Sequence, residues 1–349
     1  MREKVSKLTR KARPTIKDVA AAAGVSIGTA SRALNRRGRV SEATVDKVAA
    51  VARKLGYEPD PIAQSMRLKS TKAVGMLVSD ISNPLFAGVI RAAETRLQQA
   101  GYALLVANTD NDKRREKYLI DFFRRRRVDA LITAPCGLED PEMTEALNNP
   151  DFPIIGYDRD IGESQSGLYV DHRAAAKEAT RHLLNMGHRD IALLSSSEKL
   201  RPGRERIAGY KEALLEQGIE PQEPLIRAQK SSMDFVDSEA LSLMSRRPAP
   251  TAFLCLGTRM LAGVLQGLRQ NGWQIPDHVS VMSVGDSDLA RLYSPSISAI
   301  AWDLKLVGDM LCELTLKQLD PETAGKPERI VIPTRMIQRE SCGAPGQTI

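Results

Sequence analysis

From residue 73 onwards, short apolar runs alternate with longer stretches of helical character. The runs are rich in aliphatic and β-branched residues, and most are followed by a helix-forming segment. This alternation predicts parallel strands joined by right-handed helical crossovers, and therefore an α/β body of doubly wound parallel sheets. The predicted strands are 74–78, 103–107, 131–133, 154–157, 191–195, 252–256 and 279–284.

This body, residues 71–345, is longer than one ordinary domain, so we expect it to form two lobes. Ligands of doubly wound sheets bind beyond the carboxyl ends of the strands. Two lobes that face each other leave a cleft between those ends. The body is therefore predicted to bind a small ligand between its lobes.

The positive charge of the chain is concentrated at one end. The net charge is +7, yet residues 1–70 carry sixteen Lys and Arg against six Asp and Glu. The remainder is mildly acidic, with 34 basic and 37 acidic side chains. A basic head on an acidic body indicates that the head binds a polyanion. For the N-terminal extension 1–13 alone, a solvated basic tail is an equally good interpretation.

Several function classes are disfavoured. The chain has no apolar run of the roughly 18 residues that a membrane helix needs, and no secretory signal. Its four cysteines lie far apart without a CxxC pair, which argues against a disulfide framework and against a zinc site. Unpaired cysteines are typical of a protein in the reducing cytoplasm. Neither metal-ligand spacing among the histidines nor a catalytic motif occurs. We therefore expect a cytoplasmic protein that is not an enzyme and has no metal or other cofactor.

The spacing in residues 14–60 predicts an all-α head of short helices. Thr15 and Asp18 have the capping-box pattern at the start of the first helix, which Gly24 ends. A short helix, a turn containing glycine and a second short helix make a helix-turn-helix.

The second helix runs from the cap Ser26 to Asn35, and the third opens at Ser41 and ends at Gly56. Small alanines on the inner faces allow the helices to cross closely. The predicted inward side chains are Ile16, Val19, Ala20, Ala23, Ala30, Ala33, Leu34, Val45, Val48, Ala52 and Leu55.

The outward positions of the second helix have the chemistry of a DNA reader. Ser26, Thr29, Ser31 and Asn35 are short donors suited to phosphate oxygens. Arg32 can pair with the O6 and N7 acceptors of a guanine in the major groove. An ordinary three-helix bundle with a polar surface has the same spacing, so that alternative stays open at this point.

The start of the second helix lies where base edges would be closest. Ile27 and Gly28 occupy it and offer only van der Waals contact, for example with a thymine methyl group. Thr15 completes the set of candidate DNA-contacting residues.

The head resembles the N-terminal signature of the lac-repressor (LacI/GalR) family. The resemblance rests on residues 15–26 (TIKDVAAAAGVS), 29–35 (TASRALN) and 55–59 (LGYEP), in one gapless stretch. It implies a transcriptional regulator, commonly a repressor, that binds a palindromic double-stranded operator as a homodimer. It also implies that residues 61–70 are a hinge that becomes helical on DNA, where Met66 takes the place of the usual intercalating leucine. A linker residue that touches the body is the alternative for Met66.

The body resembles the same family, whose core is similar to periplasmic sugar-binding proteins. The similarity implies a first lobe of about 72–170 with 301–330, and a second of about 171–300 with 331–345. The matching motifs are 83–86 (NPLF), 107–110 (ANTD), 127–129 (RVD), 157–159 (YDR), 186–191 (MGHRDI), 203–210 (GRERIAGY) and 289–295 (LARLYSP).

The resemblance also implies an effector site. Arg206 matches the arginine that holds the effector, and its planar fork suits a carboxylate, a phosphate or vicinal hydroxyls. Asp158 matches a pocket acid, with a loop-capping aspartate as the alternative. Phe86 matches a position that stacks on the effector, although core packing explains it nearly as well.

Three departures from the family pattern concern the effector. Gly257 and Thr258 stand where Asn-Asp is usual, and Gly285 replaces the first aspartate of the pair that ends in Asp286. Trp302 stands where glutamine is common, and an indole can stack on a sugar ring. Fewer acidic acceptors beside a retained arginine favour a sugar acid or sugar phosphate over a neutral sugar. Thr258, Asp286 and Trp302 complete the predicted effector site.

Two other functions compete with the regulator: a solute-binding protein and a sugar-processing enzyme built on the same lobes. The head argues against the first, and the missing catalytic constellation argues against the second. The absence of a leucine heptad beyond Glu340 favours a dimer over a tetramer. The arginine run 124–127 is interpreted as a solvated helix end, where positive charge interacts favourably with the negative end of the helix dipole, rather than as a second DNA site.

Overall fold

The structure is a computed structural model that describes residues 14–36, 38–58, 70–137, 141–148, 151–229 and 238–346. The extension 1–13 and hinge residues 61–69, with Met66, lie outside the described residues. The chain divides into two compact units, Met1–Thr71 and Lys72–Ile349, which are described separately. No helix in the described part of the chain is long and apolar enough to cross a membrane.

The described part of the first unit is helical, with α1 (Ile16–Ala23), α2 (Ile27–Leu34) and α3 (Glu42–Leu55). The predicted caps are confirmed. The hydroxyls of Ser26 and Ser41 accept backbone N–H groups at 3.1 and 3.4 Å.

Glycines end two of these helices, as the sequence predicts. Gly24 and Gly56 adopt left-handed backbone conformations, with φ of 65° and 64°, at the ends of α1 and α3. The ends of α1 and α3 are therefore specified by the local sequence.

That core consists of small side chains where the three helices cross. One expectation is wrong: Leu55, predicted to point inward, is 38% exposed in the last turn of α3. The fully buried members are Val19, Ala20, Ala23, Ala30, Ala33, Val48 and Ala52.

The second unit contains two sheets of six strands each. The strands are β1 (Ala73–Val78), β2 (Ala103–Asn108), β3 (Ala130–Thr133), β4 (Ile154–Tyr157), β5 (Ser166–Val170), β6 (Ile191–Ser196), β7 (Ile226–Gln229), β8 (Ala252–Leu256), β9 (Ser280–Val284), β10 (Ser298–Ala301), β11 (Arg329–Ile332) and β12 (Arg335–Ile337). The helices are α4 (Pro84–Gln99), α5 (Lys113–Arg125), α6 (Pro141–Asn148), α7 (His172–Asn185), α8 (Arg201–Leu215), α9 (Ser238–Met244), α10 (Gly257–Gln270), α11 (Asp288–Leu292) and α12 (Leu304–Leu319). A short 3₁₀ turn covers Glu223–Leu225.

The first sheet, in the order β11-β5-β4-β3-β1-β2, is parallel throughout. Helices cover both faces because alternate strand residues point to opposite sides. In β1, Met76 lies in a cluster with side chains of α4 and α12, whereas Leu77 lies in one with side chains of α5 and α6. We call this layered body lobe 1.

The second sheet has the order β12-β10-β9-β8-β6-β7 and forms lobe 2. Its strands are parallel except β12, which pairs antiparallel with β10. Helices α7 and α8 cover one face, and α9 and α10 cover the other. The predicted α/β class with two doubly wound sheets is therefore confirmed.

The chain crosses between the lobes three times: after β5, after β10 and after β11. Strand β11 continues to Ile332 beside Val170 in lobe 1, so the last crossover follows shortly after the approximate boundary at residue 330. The boundary at 301 also shifts, since Ala301 still pairs with Arg335 in lobe 2. In both places, the residue at which the chain leaves one lobe is determined by where the strand's hydrogen bonds end.

Candidate functional sites

The cleft lies between loops at the carboxyl ends of strands from both lobes. On the lobe 1 side, Asp80 follows β1 and Asp158 follows β4. On the lobe 2 side, α8 begins shortly after β6, and its first turn is drawn close to that strand. A Cβ on Gly203 would lie 2.2 Å from the Ser197 carbonyl oxygen, so only glycine fits there. Arg206, one turn later, is thereby aimed into the cleft.

Asp158, His172 and Arg206 form a hydrogen-bonded chain across the cleft. The His172 Nε2 donates to both Asp158 carboxylate oxygens, at 3.0 and 2.8 Å. The Arg206 guanidinium donates to Nδ1 of the same ring at 2.9 Å. These partners assign the neutral imidazole with its proton on Nε2. Asp158 belongs to lobe 1 and the other two belong to lobe 2, so the chain joins the lobes.

The electrostatics of this chain agree with its hydrogen bonds. Burial, and then the positive charge of Arg206, lower the pKa of His172 to about 4, so the ring is neutral at neutral pH. Burial would raise the pKa of Asp158, but the interactions with His172 and Arg206 hold it below its ordinary value. Burial lowers the pKa of Arg206 to about 9, which leaves the guanidinium charged.

Arg206 keeps one donor unused. The residue is 5% exposed, and its Nε has no hydrogen-bond partner among the described residues. A buried charged donor without a partner is unfavourable unless a ligand or water occupies its position. This arrangement suits an oxygen-rich small molecule in the cleft.

Two aromatic pairs border the cleft. The rings of Trp302 and His172 meet edge to face, with centroids 5.8 Å apart, at two of the interlobe crossovers. Trp302 packs against the cores of both lobes, and its buried Nε1 has no partner among the described residues. Phe86 meets the buried Tyr157 ring at 5.8 Å in the same edge-to-face manner. Phe86 thus also packs on the lobe 1 core, the alternative left open by the sequence.

Further arginines of lobe 2 contact lobe 1 across the cleft. Arg259 of α10 places its Nε 3.1 Å from Asp80, without hydrogen-bond geometry, and donates to Ser82. Arg204 of α8 pairs with Asp160 at 3.0 Å. The basic wall of lobe 2 therefore faces an acidic wall of lobe 1.

A third arginine of α8 completes this contact. Arg201 donates to the Val170 carbonyl at 3.2 Å and lies over the Tyr169 ring at 4.6 Å. It is also 3.8 Å from the Asp158 carboxylate. We call Asp80, Asp158 and Asp160 with Arg201, Arg204, Arg206 and Arg259 the interlobe charge group.

The remaining predicted effector residues are placed differently. The Asp286 carboxylate accepts a hydrogen bond from Arg339 at 2.9 Å and lies 3.7 Å from Arg291, so two cations already hold it. The side chain of Thr258 lies outside the described residues. The left-handed φ of 112° at Gly285 explains a glycine at that position.

Sequence reasoning missed His172, Asp80 and the cross-cleft arginines. The histidines of the sequence lack metal-ligand spacing, so no motif marks His172 as a site residue. Asp80 had a usable signal, because it stands just beyond the carboxyl end of a predicted strand. No sequence signal identifies Arg201 or Arg259, because their partners Val170 and Asp80 are distant in the sequence.

The second candidate site is the outer face of α2 in the head. Ile27 is 49% exposed at its first position, and Gly28 and Arg32 are also exposed. The Arg32 guanidinium lies 3.5 Å from the Thr29 hydroxyl, one turn earlier. An exposed large apolar side chain beside an arginine suits contact with base edges in a groove.

The short polar side chains of this face also make local hydrogen bonds. The Ser26 hydroxyl caps α2 and lies 2.9 Å from that of Thr29. Asn35 donates to the Ser31 carbonyl at 2.6 Å. Because these local hydrogen bonds fix the side chains of Ser26, Thr29 and Asn35, their remaining donor and acceptor positions point in defined directions.

Thr15 is engaged at the start of α1. Its backbone N–H and its hydroxyl both donate to the Asp18 carboxylate, at 2.7 and 2.8 Å, which confirms the predicted capping box. These bonds hold the pKa of Asp18 below its usual value.

Comparison with known proteins places both sites in context. A family model described as "Bacterial regulatory proteins, lacI family" matches residues 15–60, and a "Periplasmic binding protein-like domain" matches residues 180–342. The HTH-type transcriptional repressor PurR of Vibrio campbellii is 32% identical over 307 residues, which cover 87% of this chain and 92% of that protein.

Two solved structures share the architecture. The transcriptional regulator CelR in complex with cellobiose superimposes with a TM-score of 0.69 at 28% identity, covering 94% of this chain and 100% of that one. The lac repressor dimer bound to operator and the anti-inducer ONPF gives a TM-score of 0.82 at 24% identity, over 95% and 99% of the chains. At that identity, the second comparison bears on the fold alone.

The depressed pKa of His172 predicts a specific pH dependence of stability. The unfolded state binds a proton near pH 6.5 and the native ring only near pH 4, so stability falls as the pH drops between them. Wild type should lose about 2 kcal/mol more than His172→Gln between pH 7 and pH 5, measured by urea unfolding. Glutamine can still donate to Asp158, and the other histidines contribute equally to both proteins. Equal losses would contradict the buried neutral imidazole.

Proposed function

The chain belongs to the lacI family of bacterial regulatory proteins, and from this premise we propose that it binds a palindromic operator as a homodimer under the control of a small metabolite. It is a transcriptional regulator with a helix-turn-helix DNA-binding domain, and its relatives are regulators rather than enzymes.

One observation carries the metabolite part. Arg206 is buried between the lobes with an unused Nε donor, and it is linked through His172 to Asp158 of the other lobe. A ligand that bonds to Arg206 therefore acts on the hydrogen-bond chain that joins the lobes. Effector binding would change the relative stability of the open and closed cleft, which is the requirement for allosteric control.

The charges of the cleft favour an anionic sugar derivative, a sugar acid or sugar phosphate, over a neutral sugar. The interlobe charge group contains four arginines and three aspartates, and Arg159 adds a buried cation beside Asp158. Asp286, an acceptor that could have bound sugar hydroxyls, is held by Arg339. Phe86 and Trp302 supply the apolar faces on which a sugar ring packs, and Thr258 stays a proposed contact from the family resemblance.

On the DNA side, α2 enters the major groove. Arg32 pairs with a guanine, and Ile27 with Gly28 contacts the neighbouring base edges. Phosphate contacts come from the polar residues around them, and Met66 of the hinge wedges into the minor groove. The proposed phosphate-contacting residues are Thr15, Ser26, Thr29, Ser31 and Asn35.

A palindromic operator needs two heads, and lobe 2 offers a surface for a second copy of the chain. Leu292 is 83% exposed at the end of α11. It adjoins Tyr293, which with Leu265 and Leu289 lines a groove beside α10. An exposed apolar side chain next to such a groove suits a protein contact.

The experiment that tests the proposal is selection of genomic DNA fragments by the purified protein at fixed, moderate salt. We expect a palindrome to be recovered, and light scattering to give a dimer in solution and on that DNA. Adding the metabolite classes in turn then identifies which one changes the affinity. A monomer both alone and on DNA, or recovery without any sequence preference in the presence of a cell metabolite extract, would contradict the proposal.

Replacing Arg32 tests the base contact. Arg32→Ala should cost about 1–3 kcal/mol of operator binding and relax the preference at one base pair per half-site. The matched measurement is a set of operators substituted at each position. Uniform weakening at every position would instead make Arg32 a phosphate contact.

Replacing Arg206 tests the effector contact. Arg206→Lys keeps the charge but loses the planar fork, so effector affinity measured by titration calorimetry should fall at least about tenfold while operator binding persists. Arg181→Lys is the matched control, because Arg181 is also an arginine of lobe 2 but is 51% exposed, pairs with Glu216 and lies outside the interlobe charge group. An unchanged effector affinity in Arg206→Lys would remove Arg206 from the site. Tight binding of a neutral sugar, with none of its acid or phosphate, would overturn the anionic class.

A further inference from the structure

Lobe 1 carries a concentrated positive charge at the edge opposite the cleft. Helix α5 ends there at Arg125, within a run of four consecutive arginines, Arg124, Arg125, Arg126 and Arg127. In a parallel sheet with helical crossovers, helices end where strands begin. The run therefore lies at the amino-terminal edge of the first sheet, beside the starts of β1 and β3.

Local structure explains only part of this run. Arg124 pairs with Asp121 at 2.8 Å and with Asp151 at 3.3 Å, so its charge is matched within the lobe. Arg125 and Arg126 are exposed, and neither forms an ion pair within the described ranges. The Arg126 guanidinium lies 5.3 Å from the centre of the Phe122 ring. The helix dipole favours a positive charge in the last turn of α5, which Arg124 already supplies. It does not require the exposed guanidinium groups of Arg125 and Arg126 as well.

The run lies next to the residues with which the body begins. Lys72 is the first residue of the second unit, and its N–H donates to the Asp129 carboxylate at 3.1 Å. The Asp129 N–H in turn donates to the Ala73 carbonyl at 2.7 Å. Asp129 is only two residues beyond Arg127. The arginines are thus held at the point where the chain arrives from the DNA-binding head.

Chain length limits how far a DNA-bound head can be from this edge. Residues 61–70 span at most about 35 Å when fully extended, and about 15 Å when helical. Exposed guanidinium groups within that reach of a duplex suit phosphate oxygens, which they bind as charged forks. No base-specific geometry is needed for such contacts.

We infer that Arg125 and Arg126 contact DNA phosphates in addition to those bound by the head. The inference rests on the proposed operator binding and assigns a second, sequence-independent DNA surface to the effector-binding body. These contacts add to affinity and to its salt dependence but not to the choice of operator.

The test compares two double variants at opposite ends of one helix. Arg125→Ala with Arg126→Ala removes the proposed contacts. Arg114→Ala with Arg115→Ala removes the same charge near the start of α5, about 17 Å away at 1.5 Å per residue. For each protein, operator affinity is measured as a function of salt concentration, together with affinity for an unrelated duplex of equal length.

We expect the Arg125/Arg126 variant to flatten the slope of log affinity against log salt by about 3 to 4 for the dimer, since each phosphate contact contributes about 0.9. Affinity for both duplexes should fall at least about tenfold at physiological salt, with their ratio unchanged. The Arg114/Arg115 control should keep the wild-type slope to within about one contact.

A wild-type slope in the Arg125/Arg126 variant, or an equal change in the control, would overturn the inference. A charge-retaining pair, Arg125→Lys with Arg126→Lys, guards against a folding defect and should keep most of the slope. Loss of the slope in the lysine pair as well would exclude a simple phosphate contact. Failure of the proposed function looks different, because wild type would then show no preference for an operator over the unrelated duplex.

Discussion

The buried hydrogen-bond chain from Arg206 through His172 to Asp158 is the interaction on which the rest of the body depends. It joins the lobes, because His172 and Arg206 belong to lobe 2 and Asp158 belongs to lobe 1. A buried carboxylate without a donor, or a buried guanidinium without an acceptor, is strongly destabilising. The chain therefore makes one relative position of the lobes favourable. A ligand at Arg206 adds to this chain or competes with it, and either action shifts the balance between lobe positions.

The positions of the His172 and Trp302 rings allow a ligand in the cleft to change the relative position of the lobes. His172 stands at the first crossover between the lobes and Trp302 at the second, and their rings touch. Crossovers are the segments whose backbone must change when lobes move. A ligand that repositions either ring therefore acts directly on an interlobe crossover, and no intervening side chains are needed. The cleft and the start of β1 lie at opposite edges of the first sheet, so movement of lobe 1 also moves Lys72, the residue at which the body begins.

Local chemistry could be predicted from the sequence, whereas partners distant in the chain could not. The caps Ser26 and Ser41 and the ends at Gly24 and Gly56 follow from short-range rules, and the structure confirms them. The prediction that Leu55 is buried is wrong because helical spacing places it on the inner face but does not show that the last turn of α3 extends beyond the core. Five strands, β5, β7, β10, β11 and β12, were not predicted, since each is short and gains its stability from neighbours in the sheet.

The candidate site shows the same division. Motif resemblance identifies Asp158 and Arg206, but nothing in the sequence marks His172, which lies between them in the structure. Asp286 was proposed as a ligand contact because the sequence shows no sign that Arg339, over fifty residues later, holds its carboxylate. Pairing across a fold decides which charges stay available, and pairing is a property of the tertiary structure.

The charges of the cleft also constrain how an effector could act. Arg204 and Arg259 of lobe 2 already contact aspartates of lobe 1, so these arginines hold the cleft together without a ligand. An anion that binds the arginines competes with Asp80 and Asp160 and weakens those pairs. A neutral ligand would leave them in place and add only its own hydrogen bonds and ring contacts. An anionic effector therefore exchanges one set of interlobe bonds for another, and the lobe position it favours need not be the one that the aspartates stabilise.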